Sequence, residues 1–369
     1  MSASFPAPAR LEPRAFTSLP GFDDDDALAA FRCFLMSARS IAAGRPEERR
    51  ARAPSSALVR AARAALAAKV NNRADAQAFF TRWFRPYRVE PASGDGFLTG
   101  YYEPVVAGSR VETPDFCWPL LARPADLVSF APGEAPADFP AGVTGGRVSS
   151  DGALVPYHDR ETIERARCDP LVWVRDAVEA FLIQVQGSAQ VVFPDRSRAR
   201  LAYDGRNGLP YASIGRILIE TGAIPESAVS LQSLKSWLRA AGLGDGEAGL
   251  ALMRRNRSFA FFRLVTDYDQ ALGPVAGAGV PLSPLRSFAL DRSLWSYGLP
   301  FWIEAELPWE HGEPSPFRRL TIAQDTGSAI VGPARADLFF GSGDAAGARA
   351  GAIRHRGNFT VLMPDGDEP

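Results

Sequence analysis

The chain has 369 residues, of which 46% are hydrophobic and 22% charged, and its formal net charge is −1. That length accommodates about two or three ordinary domains, and the balanced charge argues against electrostatic capture of a polyanion, so nucleic acid is not an expected partner. With 33 glycines and 30 prolines, turns and short strands are favoured over long helices.

The cysteines (Cys33, Cys117, Cys168) are odd in number and widely spaced, without a CxxC or Cys/His zinc pattern, and the histidines (His158, His311, His355) are scattered. Three buried free thiols are expected, with a Cys117–Cys168 disulfide as the alternative in an oxidising compartment. No apolar run has the length of a membrane span. The N-terminus lacks the basic start and apolar core of a signal peptide, and no such core precedes Cys33, which reads as a helix residue and not a lipid anchor. The expectation is a cytoplasmic chain or a form without its export signal.

Residues 1–22 read as a Pro-rich, poorly ordered lead-in. Asp23 to Asp26 can cap a helix that runs to about Ala43. A second helix starts at Ser55 and reaches about Val70. A third starts at Arg73, carries Phe79, Phe80, Trp83 and Phe84 as its apolar stripe, and stops at Pro86. Phe97 to Thr99 reads as strand, Gly100 as a point of close backbone approach and Tyr101 to Glu103 as strand, with Tyr101 and Tyr102 on opposite faces, either as ordinary strand tyrosines or with one facing a cleft. Residues 105–160 read as meandering β structure and 160–167 as a helix, with either another helix over about 175–180 or a direct run into the strand that follows. The stretch 181–193, FLIQVQGSAQVVF, alternates as a strand, with Gln184, Gln186 and Ser188 on one face. That row is either a hydrogen-bonding surface for a polar neutral ligand or a solvated sheet face. Pro194 to Ser197 is a hairpin turn, and Asp204-Gly205 and Asn207-Gly208 are turn signals. Helices follow over 211–220, 230–241 and about 247–255, then a strand over 259–264. The remainder is strand-like, including a half-exposed strand over 302–307 and a last one over 358–362.

The stretch Leu320–Gly343 concentrates the chemistry. An apolar run ends at Asp325, a small-residue turn follows, and Ala329 to Val331 forms a second apolar run. A short basic link leads to Ala336-Asp337-Leu338-Phe339-Phe340. A carboxyl set among Phe, Leu and Ile has a raised pKa and can act as a general acid near neutrality. Both aspartates also fit a simpler role as turn caps, the commoner fate of Asp beside Gly. Phe288 to Asp291 puts a third aspartate at the end of an apolar run. Nucleotide-binding glycine loops and the GxSxG elbow do not occur.

Five motif groups recur together: GYYEP at 100–104, VQGSAQV at 185–191, YDGRNGLPYASIGRILIETG at 203–222, NRSFAFFR at 256–263, and the ALDRS, AQDTGSAI and ADLFFGSGDAAG series. In their order, over about residues 94–363, they resemble the membrane-bound lytic murein transglycosylase A family. The last series resembles the three-aspartate domain of cell-wall proteins, through Asp291, Asp325 and Asp337. The resemblance implies a mainly β fold with flanking helices. A double-psi β-barrel would span 1–104 and 257–369, a second barrel-like domain would be inserted over 105–256, and a glycan cleft would lie between them. It also implies cleavage of the β-1,4 bond between N-acetylmuramic acid and N-acetylglucosamine, leaving a 1,6-anhydro end without consuming water.

Because the sugar's own 6-hydroxyl attacks in such chemistry, one carboxyl can serve where ordinary glycosidases need two. By motif match that carboxyl is Asp337, tuned by Asp325, with Asp291 structural. Thr99, Tyr101, Gln186 and Ser188 are implied sugar contacts. The implied partner is peptidoglycan, met by a periplasmic monomer with outer-membrane association, although no signal or lipobox is visible here. No metal or organic cofactor is expected. A non-catalytic glycan-binding barrel and a hydrolase on the same barrel are the competing readings; the intact Asp325/Asp337 pair favours catalysis over binding.

Overall fold

The structure, a computed structural model, describes residues 9–92, 94–130, 134–310 and 312–367. The chain divides into two compact units. The first comprises Met1–Tyr102, Ala271–Gly341 and Ala348–Pro369, and the second Glu103–Gln270 and Ser342–Gly347. Both are sheet-rich with packed helices.

In the first unit, helices Ala27–Ala43, Ser56–Ala67 and Arg73–Trp83 each start at a side-chain cap, supplied by Asp26, Ser55 and Asn72. The first stops at Gly44, whose φ of 60° is left-handed. Phe31 and Phe34 meet Phe79 and Phe80 in a cluster of edge-to-face and tilted rings. Phe84 joins this buried group, and each such ring contributes about 1.5–3 kcal/mol by burial. Phe84 is not in the helix as the sequence reading expected. It opens a strand, Phe84–Pro91, and Pro86 lies within that strand opposite Leu362. Of the expected lead-in, residues 1–8 lie outside the described residues. Ala9–Pro13 is instead a strand paired antiparallel with Phe84–Pro91, because that strand offers it a free edge.

The first unit's sheet has nine strands. Their order is Ala9–Pro13, Phe84–Pro91, Asn358–Pro364, Pro300–Leu307, Ser315–Thr326, Ser287–Leu290, Arg335–Ser342, Phe97–Glu103 and Arg354–Arg356. Pro300–Leu307 has neighbours on both sides, and within the expected half-exposed stretch 302–307 Trp302, Ile303 and Leu307 are buried, Glu304 and Ala305 are partly exposed and Glu306 is exposed. The expected apolar run Ala329–Val331 is a turn: Ile330 is buried, bonded back to Gly327, and Val331 is exposed.

The second unit is built on a four-stranded sheet ordered Ala260–Val265, Arg198–Arg206, Ser188–Val192 and Val105–Ala107. Its core includes Leu120, Val172, Val191, Leu201 and Phe262. A second cluster, around Val178, Phe181, Leu218, Leu238 and Met253, holds its helices together. Because Ala260–Val265 pairs with Arg198–Arg206, the unit extends to Gln270 and not to the expected 256.

The strand expected over 181–193 is a helix, Ala177–Gln186, followed by a strand only from Ser188. Asp176 caps the helix, buried Val178, Phe181 and Leu182 fall at helical spacing, and Gly187 closes it at φ 83°. Gln184, Gln186 and Ser188 therefore do not form a polar row; Gln184 accepts a hydrogen bond from buried Arg160 at 2.6 Å. Asp204-Gly205 is not a turn but a bulge within Arg198–Arg206. All three cysteines are free; Cys33 is buried, but Cys117 and Cys168 are exposed, contrary to the expectation of three buried thiols. Among the described residues, no helix is long and apolar enough to cross a membrane.

Candidate active site

Register brings the two aspartates together. Strand Ser287–Leu290 lies between Ser315–Thr326, to which it runs parallel, and Arg335–Ser342, to which it runs antiparallel. Ala289 is the partner of Asp325 on one side and of Asp337 on the other. Partners in register point to one face, so both carboxylates flank a single methyl group. Their Cα atoms sit two strands apart, roughly 10 Å.

The next strand, Phe97–Glu103, adds Thr99 and Tyr101 to this group. The Thr99 hydroxyl donates to Asp337 Oδ1 at 2.6 Å, and the Tyr101 hydroxyl donates to Asp325 Oδ2 at 2.9 Å. Between them, Gly100 allows a close backbone approach: a Cβ there would lie 2.8 Å from the Ala350 carbonyl oxygen and 2.9 Å from the Phe340 ring. Tyr101, Ala289, Ile330, Leu282 and Phe339 form a buried apolar cluster, with the Tyr101 and Phe339 rings 5.3 Å apart.

The two carboxylates have different surroundings. Asp325 accepts three hydrogen bonds, from Tyr101, from the Gly277 amide at 3.0 Å and from the Thr326 amide at 2.8 Å. Among the described residues, Asp337 accepts one, from Thr99. Desolvation pushes the Asp337 pKa up and outweighs the Arg335 charge and the Thr99 hydrogen bond, which pull it down; the charge of Asp325 adds to the rise. Arg335 does not grip the carboxylate. Among the described residues, its donors go to Thr99 Oγ1 at 2.8 Å, to the Phe97 carbonyl and to the Ala336 carbonyl. Burial, then the charges of Asp325 and Asp337, push the Tyr101 pKa well above the ordinary range, so its hydroxyl stays a donor.

Asp291, the third aspartate, is buried and accepts from the Ser293 amide and hydroxyl and from the Gly332 amide, which pins two loops. Gln186 and Ser188 lie in the second unit, Gln186 half-buried at a helix end and Ser188 buried at the start of a strand. Glu103, at the end of the Thr99 strand, is fully buried and held by Arg200 at 2.7 Å, by Gln190 at 2.9 Å and by Ser342 at 2.8 Å. These contacts give Glu103 a structural role.

Sequence reasoning treated Arg335 as part of a basic link, yet it stands two residues before Asp337 on the same face of the strand, and period-two counting was enough to find it. Gly277 and Tyr297 were also missed. Both pack against Asp325 from distant sequence: a Cβ on Gly277 would lie 2.5 Å from the Tyr297 hydroxyl and 3.3 Å from Asp325 Oδ1.

The chain matches the MltA specific insert domain over residues 97–263 and the 3D domain over residues 286–363. It is similar to the crystal structure of a membrane-bound lytic murein transglycosylase from Agrobacterium tumefaciens, at 33% identity and a TM-score of 0.85, covering 96% of this chain and 97% of that one. This chain belongs to the membrane-bound lytic murein transglycosylase A family. It is also 37% identical over 197 residues to the family member of Vibrio cholerae, covering 52% of this chain, and 31% identical over 276 residues to that of Escherichia coli K12, covering 73%. These matches span 51% and 66% of the two relatives' own lengths. Asp325 and Asp337 both fall within the family's 3D domain, and Thr99 and Tyr101 within its insert domain match.

Proposed function

We propose that this protein is a peptidoglycan lytic transglycosylase that breaks the β-1,4 bond between N-acetylmuramic acid and N-acetylglucosamine without water. The observation that carries the reading is the inequality of the two carboxylates. Asp337 has a raised pKa and one hydrogen-bond partner, whereas Asp325 is occupied by three donors. One carboxyl is then free to move a proton. Protonated Asp337 gives its proton to the glycosidic oxygen as the bond from muramic acid C1 breaks. The sugar's 6-hydroxyl oxygen bonds to C1, and the Asp337 carboxylate takes the hydroxyl's proton, which restores the acid. Two carboxylates sharing the work would instead favour a hydrolytic or retaining route.

Asp325 accepts from the Tyr101 hydroxyl, and its charge adds to the rise in the Asp337 pKa that burial causes. We assign Thr99, Tyr101, Gln186 and Ser188 to contacts with sugar. The nine-stranded sheet is read as a double-psi β-barrel; the parallel pairing of Ser287–Leu290 with Ser315–Thr326, which requires a crossover, supports this. The proposed setting is the periplasm, at the outer membrane, with the protein acting as a monomer on glycan strands. The names of the relatives, lytic murein transglycosylases, support the substrate class.

The test is digestion of purified sacculi followed by mass spectrometry. Anhydro ends are expected, and Asp337→Asn is expected to abolish turnover while glycan binding persists. Reducing ends from the unaltered protein would favour hydrolysis, and full turnover by the variant would refute the assignment of the acid.

A further inference from the structure

Thr99 Oγ1 has two partners among the described residues, Arg335 Nη2 at 2.8 Å and Asp337 Oδ1 at 2.6 Å. A guanidinium only donates. The threonine oxygen must therefore accept from Arg335, and its single hydrogen has one acceptor left, Asp337 Oδ1. A neutral partner in place of Arg335 would let the hydroxyl turn round and accept from the acid instead. The distance of 2.6 Å is that of a short hydroxyl-to-carboxyl hydrogen bond.

We propose that Arg335 and Thr99 form a one-way hydrogen-bond relay that reserves Asp337 Oδ1 as an acceptor and confines the transferable proton to Oδ2. This rests on the reading of Asp337 as the acid and adds two positioning residues to it, neither of which transfers a proton to substrate. The bond pattern also limits what Thr99 can offer a sugar. Its hydrogen is committed, so it can only accept from a sugar hydroxyl.

The ionisable groups facing Asp337 come from three strands. Arg335 lies on its own strand, Tyr101 on Phe97–Glu103 and Asp325 on Ser315–Thr326; Ser287–Leu290 presents only Ala289. Of these, Arg335 is the cation, and with Thr99 it opposes the rise caused by burial. Removing either member should therefore let the acid hold its proton to higher pH.

The experiment compares Thr99→Val, Thr99→Ser, Arg335→Met and Arg335→Lys by the pH dependence of kcat on soluble glycan strands. The alkaline limb reports loss of the acid's proton. Thr99→Val and Arg335→Met are expected to move that limb up by about one pH unit, while Thr99→Ser and Arg335→Lys keep its position whatever their rates. A limb that stays fixed in Thr99→Val and Arg335→Met, with kcat merely scaled, overturns the relay. Should turnover be too slow to follow, carbon-13 NMR titration of the Asp337 carboxyl in the same folded variants reads the same shift; an unmoved titration overturns the relay equally. An active Asp337→Asn variant would defeat the assignment of the acid itself, so the two failures are distinguishable.

Discussion

Gly277 is predicted to hold Asp325 in place by having no side chain. Its amide donates to Asp325 Oδ1 at 3.0 Å, and its φ is not in the left-handed range, so alanine there meets a steric and not a conformational penalty. The added methyl would lie 2.5 Å from the Tyr297 hydroxyl, 3.1 Å from that ring's Cζ and 3.3 Å from Asp325 Oδ1. The first contact cannot persist, so the tyrosine or the carboxylate must move. Overpacking of this kind costs about 1–3 kcal/mol. If it falls on the position of Asp325, turnover drops by about 5- to 150-fold at about 1.4 kcal/mol per tenfold. The Tyr297 hydroxyl is buried and has no hydrogen-bond partner among the described residues, so Tyr297→Phe gives up no bond and opens space. The double variant Gly277→Ala/Tyr297→Phe should recover part of the lost rate, with the 3.1 Å ring contact and the 3.3 Å contact to Asp325 Oδ1 left to relax. Steady-state release of anhydro products from the four proteins is the assay. A double variant no faster than Gly277→Ala alone would show that the clash is not transmitted as argued.

Glu103→Gln should destabilise the second unit by about 3–5 kcal/mol, because it leaves the Arg200 guanidinium buried without its counter-charge; urea unfolding reads this. The raised pKa of Asp337 means that the folded state binds its proton more tightly than the unfolded chain does. Stability contributed by this group is full below the ordinary carboxylate range and is lost as pH rises through the raised folded value. Asp337→Asn should therefore flatten that slope and raise the melting temperature at neutral pH, and a lower melting temperature there would contradict the desolvation argument. Cys117 and Cys168 are exposed and should react quickly with a thiol reagent, whereas Cys33, buried with its pKa pushed up to about 11, should react only on unfolding. Three fast equivalents would contradict that burial.

The capped helices and the strands bearing Thr99, Asp325 and Asp337 were legible because each carries a local signal. Asp26 and Ser55 are caps, and Phe97–Glu103 and Arg335–Ser342 are apolar segments bounded by glycine. The helix Ala177–Gln186 was misread because FLIQVQ satisfies both a period of 2 and a period of 3.6 over so short a window; Asp176 and Gly187 were the signals that decide it. Ala9–Pro13 was missed because a short edge strand depends on its partner more than on its own composition. Within the site, Asp337 was visible from its apolar neighbours. Its connection to Arg335 through Thr99 was not, because 236 residues separate Thr99 from Arg335 in sequence and strand pairing joins them.

The different surroundings of the two aspartates are built around one shared position. Ala289 faces both, and its methyl leaves the space between them to Tyr101 and Phe339. Tyr101 packs its ring on Phe339 in that space and gives its hydroxyl to Asp325. One side chain thus adds apolar surface beside the acid's strand while supplying a donor to its neighbour. Two carboxylates on one sheet face would otherwise compete for the same charge state. Here one carboxylate accepts from three donors, and the other accepts from one and has its pKa raised by burial. A larger residue at 289 would push Tyr101 off Phe339, exposing Asp337 and loosening Asp325 together, so the smallness of alanine there is as much a requirement of the proposed chemistry as either acid.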